Sequence, residues 1–182
     1  MKVYDLKKLK NLAANEKDQL LNDAYELGFK YEHDYHGCSQ SALGALQELF
    51  GIHNNDVFKA SCGLAGGIGA SSQSTCGALA GVCIFLSLLY GRERDKIKDV
   101  ERRRFIAYNA CNKVLENCIE EFGTTECWEI QKDRLGRSYK LIEPEEFKIF
   151  EEAGGHETVC PDTVGKITQF AVKVILEMEC GK

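Results

Sequence analysis

Cys76-Gly77-Ala78-Leu79-Ala80-Gly81-Val82-Cys83-Ile84-Phe85-Leu86-Ser87-Leu88-Leu89-Tyr90 is the stretch on which the fold turns. From Ala78 to Tyr90 it is the most hydrophobic run of the chain, and Gly91-Arg92-Glu93-Arg94 ends it. A membrane crossing needs roughly 20 apolar residues, so this run reads as a helix buried in protein, and no membrane insertion is expected. Ser74 or Thr75 is a natural N-cap, which puts Cys76 in the first turn of that helix.

Immediately upstream, Gly63-Leu64-Ala65-Gly66-Gly67-Ile68-Gly69 forms a glycine-rich loop. Glycine at this density permits positive φ angles and close approach to backbone or to a bound group. Further upstream, Leu20, Leu21, Ala24, Leu27 and Tyr31 recur at helical spacing over Glu16 to Tyr35. His36-Gly37 breaks that helix and Cys38 opens a second, with Gly51 as its C-terminal cap. Asn54, Asn55 and Asp56 suit the start of a short helix through Val57, Phe58 and Cys62. Downstream of Gly91, the pattern predicts a long helix from Asp95 to Phe122, a short one beginning near Cys127, and a loop from Lys132 to Tyr139. Pro144-Glu145-Glu146 opens another helix that stops at Gly154-Gly155, and Cys160-Pro161-Asp162-Thr163 leads into a C-terminal one. With only two prolines in 182 residues, the reading is one all-α domain over residues 1–182, a bundle of about six to eight helices around a glycine-rich loop.

A net charge of -5 gives no electrostatic reason to expect nucleic-acid binding, which needs a basic face. The cluster Arg102-Arg103-Arg104 follows Asp95, Asp99 and Glu101 and reads as a salt-bridged, solvated helix surface. Met1 to Lys8 lacks the apolar core of a signal peptide, so the expected compartment is the reducing cytoplasm. There, abundant cysteine argues for metal binding or catalysis rather than structural disulfides.

Four of the nine cysteines, Cys38, Cys76, Cys127 and Cys160, fall at predicted helix starts. Free N–H groups and the positive end of the helix dipole favour a thiolate there and lower its pKa. Cys83, Cys111 and Cys118 lie inside helices and read as small core residues, while Cys62 and Cys180 read as inert. No C-x-x-C occurs, so neither a zinc ribbon nor a thioredoxin-type pair is indicated, and the fold itself must assemble the four.

Cys76-Gly77-Ala78-Leu79-Ala80-Gly81 resembles the central motif of the C_GCAxxG_C_C family, small bacterial and archaeal proteins described as redox-active. By order and context Cys38 matches the family's first cysteine, Cys127 the third and Cys160 the fourth, and the likeness covers about residues 20–178. The chain has Gly37 where many relatives have asparagine, and Ala70-Ser71-Ser72 where they have arginine. The resemblance implies redox activity with an unknown redox partner, and a homo-oligomer is compatible with it. Through a likeness to a domain of certain haem proteins it also implies an iron–sulfur cluster. The absence of C-x-x-C-H leaves no site for covalent haem.

Three functions compete. In the first, Cys38, Cys76, Cys127 and Cys160 bind an iron–sulfur cluster for electron transfer, with Gly66, Gly67, Gly69 and Gly77 allowing its close approach; structural zinc is the variant with the same ligands. In the second, the protein is a metal-free thiol–disulfide oxidoreductase with Cys76 as nucleophile and Cys38 as its partner, and His36 and His156 as bases or ligands, or simply as surface or capping histidines. In the third, it is a helical interaction module with packed, structural cysteines. A phosphate-binding loop at Gly66-Gly67-Ile68-Gly69 lacks the lysine and the spacing it would need.

Overall fold

Residues 2–181 are described by the structure, a computed structural model. Their α-helices are α1 (Ala14–Tyr35), α2 (Cys38–Phe50), α3 (Asn55–Ala60), α4 (Gly77–Tyr90), α5 (Arg103–Phe122), α6 (Cys127–Leu135), α7 (Pro144–Glu152) and α8 (Cys160–Cys180). Among the described residues there is no strand, and none of the helices is long and apolar enough to cross a membrane. The fold is all-α, as the helical spacing of the apolar residues requires.

Each long helix buries the stripe its sequence marks. On α2, Ala42, Leu43, Ala45, Leu46 and Leu49 are fully enclosed, and on α4 so are Ala78, Val82, Phe85 and Leu86. Enclosing a leucine of this kind stabilises the fold by about 1.5–3 kcal/mol relative to leaving it in water. Helix α8 contributes Ile167, Ala171, Val174 and Ile175 and packs along α1, while α2 packs on α4 and α4 on α5. The hydrophobic run of 78–90 is therefore a core helix covered by protein.

Three boundaries differ from the sequence reading. The long helix begins at Arg103, not Asp95, because the Asp99 carboxylate turns inward and accepts from the backbone N–H groups of Arg103 at 2.7 Å and Arg104 at 3.2 Å. Residues 91–102 form turns ahead of that cap, so Arg102 lies outside α5 and Arg104 pairs with Asp99 at 3.7 Å. Helix α6 continues through Leu135 into the segment read as loop, and a 3-10 turn at Leu6–Asn11 precedes α1.

The glycine-rich loop is a left-handed turn. Gly66, Gly67, Ile68, Gly69 and Ala70 have φ of 57°, 66°, 65°, 59° and 56°. The turn is closed by the N–H of Ala70 donating to Ala65 O at 3.0 Å and that of Ser72 to Gly66 O at 2.8 Å. For an L-residue this conformation costs roughly 1–2 kcal/mol, and Ile68 adopts it while 51 % exposed, with little packing to compensate. Ile68→Gly is therefore expected to raise stability by about 1 kcal/mol, the relief of strain outweighing glycine's greater unfolded-state entropy. Gly69→Ala, at the same φ and with open space around it, should lower stability by a similar amount. Urea unfolding of both variants checks the pair of signs.

Candidate redox site

Four separate segments bring Cys38, Cys76, Cys127 and Cys160 to one place. Cys38 is the first residue of α2, set there by Gly37 in the left-handed region. Cys76 and Cys127 are held side by side by an antiparallel bridge between Thr75 and Glu126. In it the N–H of Cys76 donates to Thr125 O at 2.7 Å and that of Cys127 to Ser74 O at 2.9 Å. Ser74 and Thr75 are occupied by this bridge, so Cys76 itself is the N-cap of α4. Cys160 follows a π-helical turn, Gly155–Val159, that runs without a break into α8. All four residues line one cavity of about 200 Å³, together with Glu32, His36, Gln131 and His156.

Two glycines of the central motif make that convergence possible. A Cβ on Gly77 would stand 2.5 Å from Cys38 Sγ, and one on Gly81 would stand 2.2 Å from the backbone O of Ser39. The starts of α2 and α4 therefore cross with no room for a side chain between them. Gly66 lines the cavity and its N–H donates to Cys38 Sγ at 3.3 Å. Gly67 packs against Cys127, where a Cβ would meet Cys127 Cβ at 3.0 Å. Gly69 is exposed and lies off the cavity wall.

Helix-start position does not lower the thiol pKa values. Burial raises Cys76, and the amides of Ala78 and Leu79 oppose it only in part. Burial likewise raises Cys38, helped by the nearby Glu32 carboxyl and Cys76 and opposed by the Gly66 amide. It pushes Cys127 up to about 12, against hydrogen bonds from Gln131 and Ser72. The thiol of Cys160 is enclosed although the residue as a whole is half-buried, and it too is raised. For this thiol the preceding helical turn also removes the free helix end on which the dipole argument rests. Desolvation of a charge outweighs a few oriented dipoles, so without a bound cation these four are neutral thiols.

Gln131 and Glu32, not read from the sequence, complete the wall together with His36 and His156, which were. Gln131, one turn after Cys127, donates from Nε2 to Cys127 Sγ at 3.3 Å and to Ser72 Oγ at 3.0 Å, while its Oε1 accepts from the N–H of Tyr139 at 2.8 Å. His36 and His156 lie against each other with ring centroids 4.1 Å apart and planes tilted by 32°, and His156 Nδ1 meets the Glu151 carboxylate. Burial lowers the pKa of His156, against the pull of Glu151. Glu32 is 1 % exposed, with Oε1 3.7 Å from His156 Nε2. Its Oε2 is the one fully buried side-chain oxygen or nitrogen among the described residues without a hydrogen-bond partner. Glu32 continues the row Leu20, Ala24, Gly28 on the buried face of α1, and a carboxyl on an apolar stripe was the signal available for it.

Burial pushes the Glu32 carboxyl from 4.5 up to about 8. Between those values the folded protein holds a proton that the unfolded chain has lost. This contribution to stability is complete below the lower value and is lost as pH rises to the upper one, by up to about 1.4 kcal/mol per pH unit. Urea midpoints of metal-free protein across that window should fall more steeply for the native chain than for Glu32→Gln. Identical slopes would mean that the carboxyl is not held protonated. His156 acts in the opposite sense at the acid end, which is why the difference between the two proteins is the quantity to read.

A family model described as "Putative redox-active protein (C_GCAxxG_C_C)" matches residues 36–174. The chain belongs to this family. No curated protein and no solved structure matches it. On this fold the C_GCAxxG_C_C signature is a packing rule as much as a chemical one. Cys76 caps α4, Gly77 clears space for the Cys38 sulfur, and Gly81 admits the backbone of α2.

Proposed function

We propose that the cavity holds an iron–sulfur centre ligated by Cys38, Cys76, Cys127 and Cys160, and that the protein transfers electrons through it. The observation that carries this reading is four enclosed thiols around one cavity, each raised in pKa by burial and so in need of a metal to be deprotonated. Among the described residues no three of His, Cys, Asp and Glu stand close enough to hold a single ion. Four thiolates are the usual ligand set of an iron–sulfur centre. The unpartnered Glu32 Oε2 supports an occupant, since a buried polar atom without a partner costs about 1–3 kcal/mol.

Bound there, the centre would supply a one-electron couple of the kind four thiolates support. The N–H of Gly66 and the amide of Gln131 already donate to two of the sulfurs. Such donors stabilise negative charge on sulfur and raise the reduction potential. Ile130, Leu141, Phe147 and Val164 keep the wall apolar and restrict water. The metal-free thiol–disulfide reading lacks the low-pKa nucleophile it requires at Cys76.

Anaerobic purification followed by an absorption spectrum and analysis for iron and acid-labile sulfide tests the proposal. Coloured protein carrying both is the expected result. Protein that remains colourless after anaerobic reconstitution with iron and sulfide, or that takes up stoichiometric zinc in their place, would overturn it.

A further inference from the structure

Cys83 on α4 and Cys111 on α5 lie off the cavity wall, at mid-helix positions that read as inert core. Both are half-buried rather than enclosed, unlike Cys118 at 1 % exposed. Across the α4–α5 interface Cys111 Sγ comes within 3.8 Å of the carbonyl O of Cys83, so the two cysteines face each other from neighbouring helices.

Helix register explains the meeting. Cys118 lies two turns beyond Cys111 on α5, and Cys76 two turns before Cys83, at the start of α4. Seven residues advance a helix by about 10.5 Å. Cys118 is also close enough to act on Cys76 and on Cys83, so α4 and α5 run antiparallel and the thiols form two rungs. The inner rung, Cys76 with Cys118, adjoins the cavity, and the outer rung, Cys83 with Cys111, faces the surface.

We propose that Cys83 and Cys111 are a second redox site, a dithiol that low-molecular-weight disulfides oxidise to a covalent cross-link between α4 and α5. The chemistry has an asymmetric start. The Cys83 side chain, and after it the Ser87 hydroxyl, holds Cys111 below the ordinary thiol value against burial. Cys83 is correspondingly raised, most of all by the neighbouring Cys111 side chain. The Cys111 thiolate attacks one sulfur of the disulfide RSSR, and RS⁻ leaves. Cys83 then gives up its proton and attacks Cys111 Sγ in the mixed disulfide, displacing the second RS⁻. The dithiol loses two electrons and two protons, and RSSR becomes two RSH. None of these atoms belongs to the cavity wall, so the site stands whether or not the cavity holds a metal.

The test uses the native full-length protein as isolated, incubated with oxidised glutathione, acid-quenched, alkylated and digested without reductant. The expected product is a peptide pair linked through Cys83 and Cys111, with both thiols lost to alkylation. Without oxidant, Cys111 should alkylate faster than Cys76 by more than about tenfold at neutral pH. Cys83→Ser should stop at the Cys111–glutathione mixed disulfide, and Cys111→Ser should leave Cys83 unmodified. Cys83 and Cys111 both still open to alkylation after oxidation, each carrying glutathione without a cross-link, or cross-linked only to cavity cysteines would each overturn the proposal. The native peptide map decides this even if a variant folds poorly.

Discussion

Gly81→Ala is expected to destabilise the protein by about 3 kcal/mol, at the upper end of what overpacking normally costs. The added methyl group would lie 2.2 Å from the Ser39 carbonyl oxygen and 3.0 Å from its carbon. Both are backbone atoms of a fully buried residue on α2, so no rotamer change can relieve the clash. Helices α2 and α4 must part, and their packing carries much of the core. For a chain of this size that corresponds to a fall of about 6–12 °C in Tm. Gly77→Ala meets a softer obstacle, the Cys38 sulfur at 2.5 Å, along with Leu64 O at 2.9 Å. It should cost less stability and displace a site cysteine. Gly63→Ala, which meets nothing within 4 Å and is not at positive φ, is the control and should be close to neutral. Thermal unfolding of the three orders them. A Gly81→Ala protein as stable as Gly63→Ala would refute the close crossing.

Alanine at any one of Cys38, Cys76, Cys127 and Cys160 should remove most of the iron bound after anaerobic reconstitution. The loss should be at least the 10–100-fold in affinity that even an outer partner of a metal ligand is worth, by the usual order of magnitude. Cys62→Ala and Cys180→Ala should retain iron, because neither residue lines the cavity. Gln131→Leu separates ligation from tuning. It removes the donor to Cys127 Sγ, so the centre should still assemble but with a lower reduction potential. Circular dichroism of the metal-free variants shows that iron loss is not unfolding. Full iron retention in any of the four alanine variants would strike that cysteine from the ligand set.

These outcomes depend differently on sequence and on structure. Helix α2 from Cys38 to the Gly51 cap, the Asn54 cap of α3 and the end of α5 at Gly123 were all readable, since caps and apolar periodicity act within a turn or so of chain. The all-α class follows from the same local rules, and the four junction cysteines were singled out by lying where those rules place helix starts. The start of α5 was not readable, because it depends on Asp99 turning into the interior. Nor was the N-cap role of Cys76, because Ser74 and Thr75 pair with a segment some 50 residues away.

The thiol pKa values are the clearest division. Helix-end dipoles are a local property and argue for lowered values, whereas desolvation is summed over everything that closes around a sulfur, and it prevails at all four cysteines. Conversely, Cys111 reads as a small core residue from its mid-helix position, and its approach to Cys83 depends on how α5 packs against α4. The sequence by itself determined the helices, the junction cysteines and the small residues between them. Which side chains face the cavity, which thiols hold their protons and which two meet across α4 and α5 were decided by tertiary structure, because burial and cross-helix register exist only once distant segments have packed.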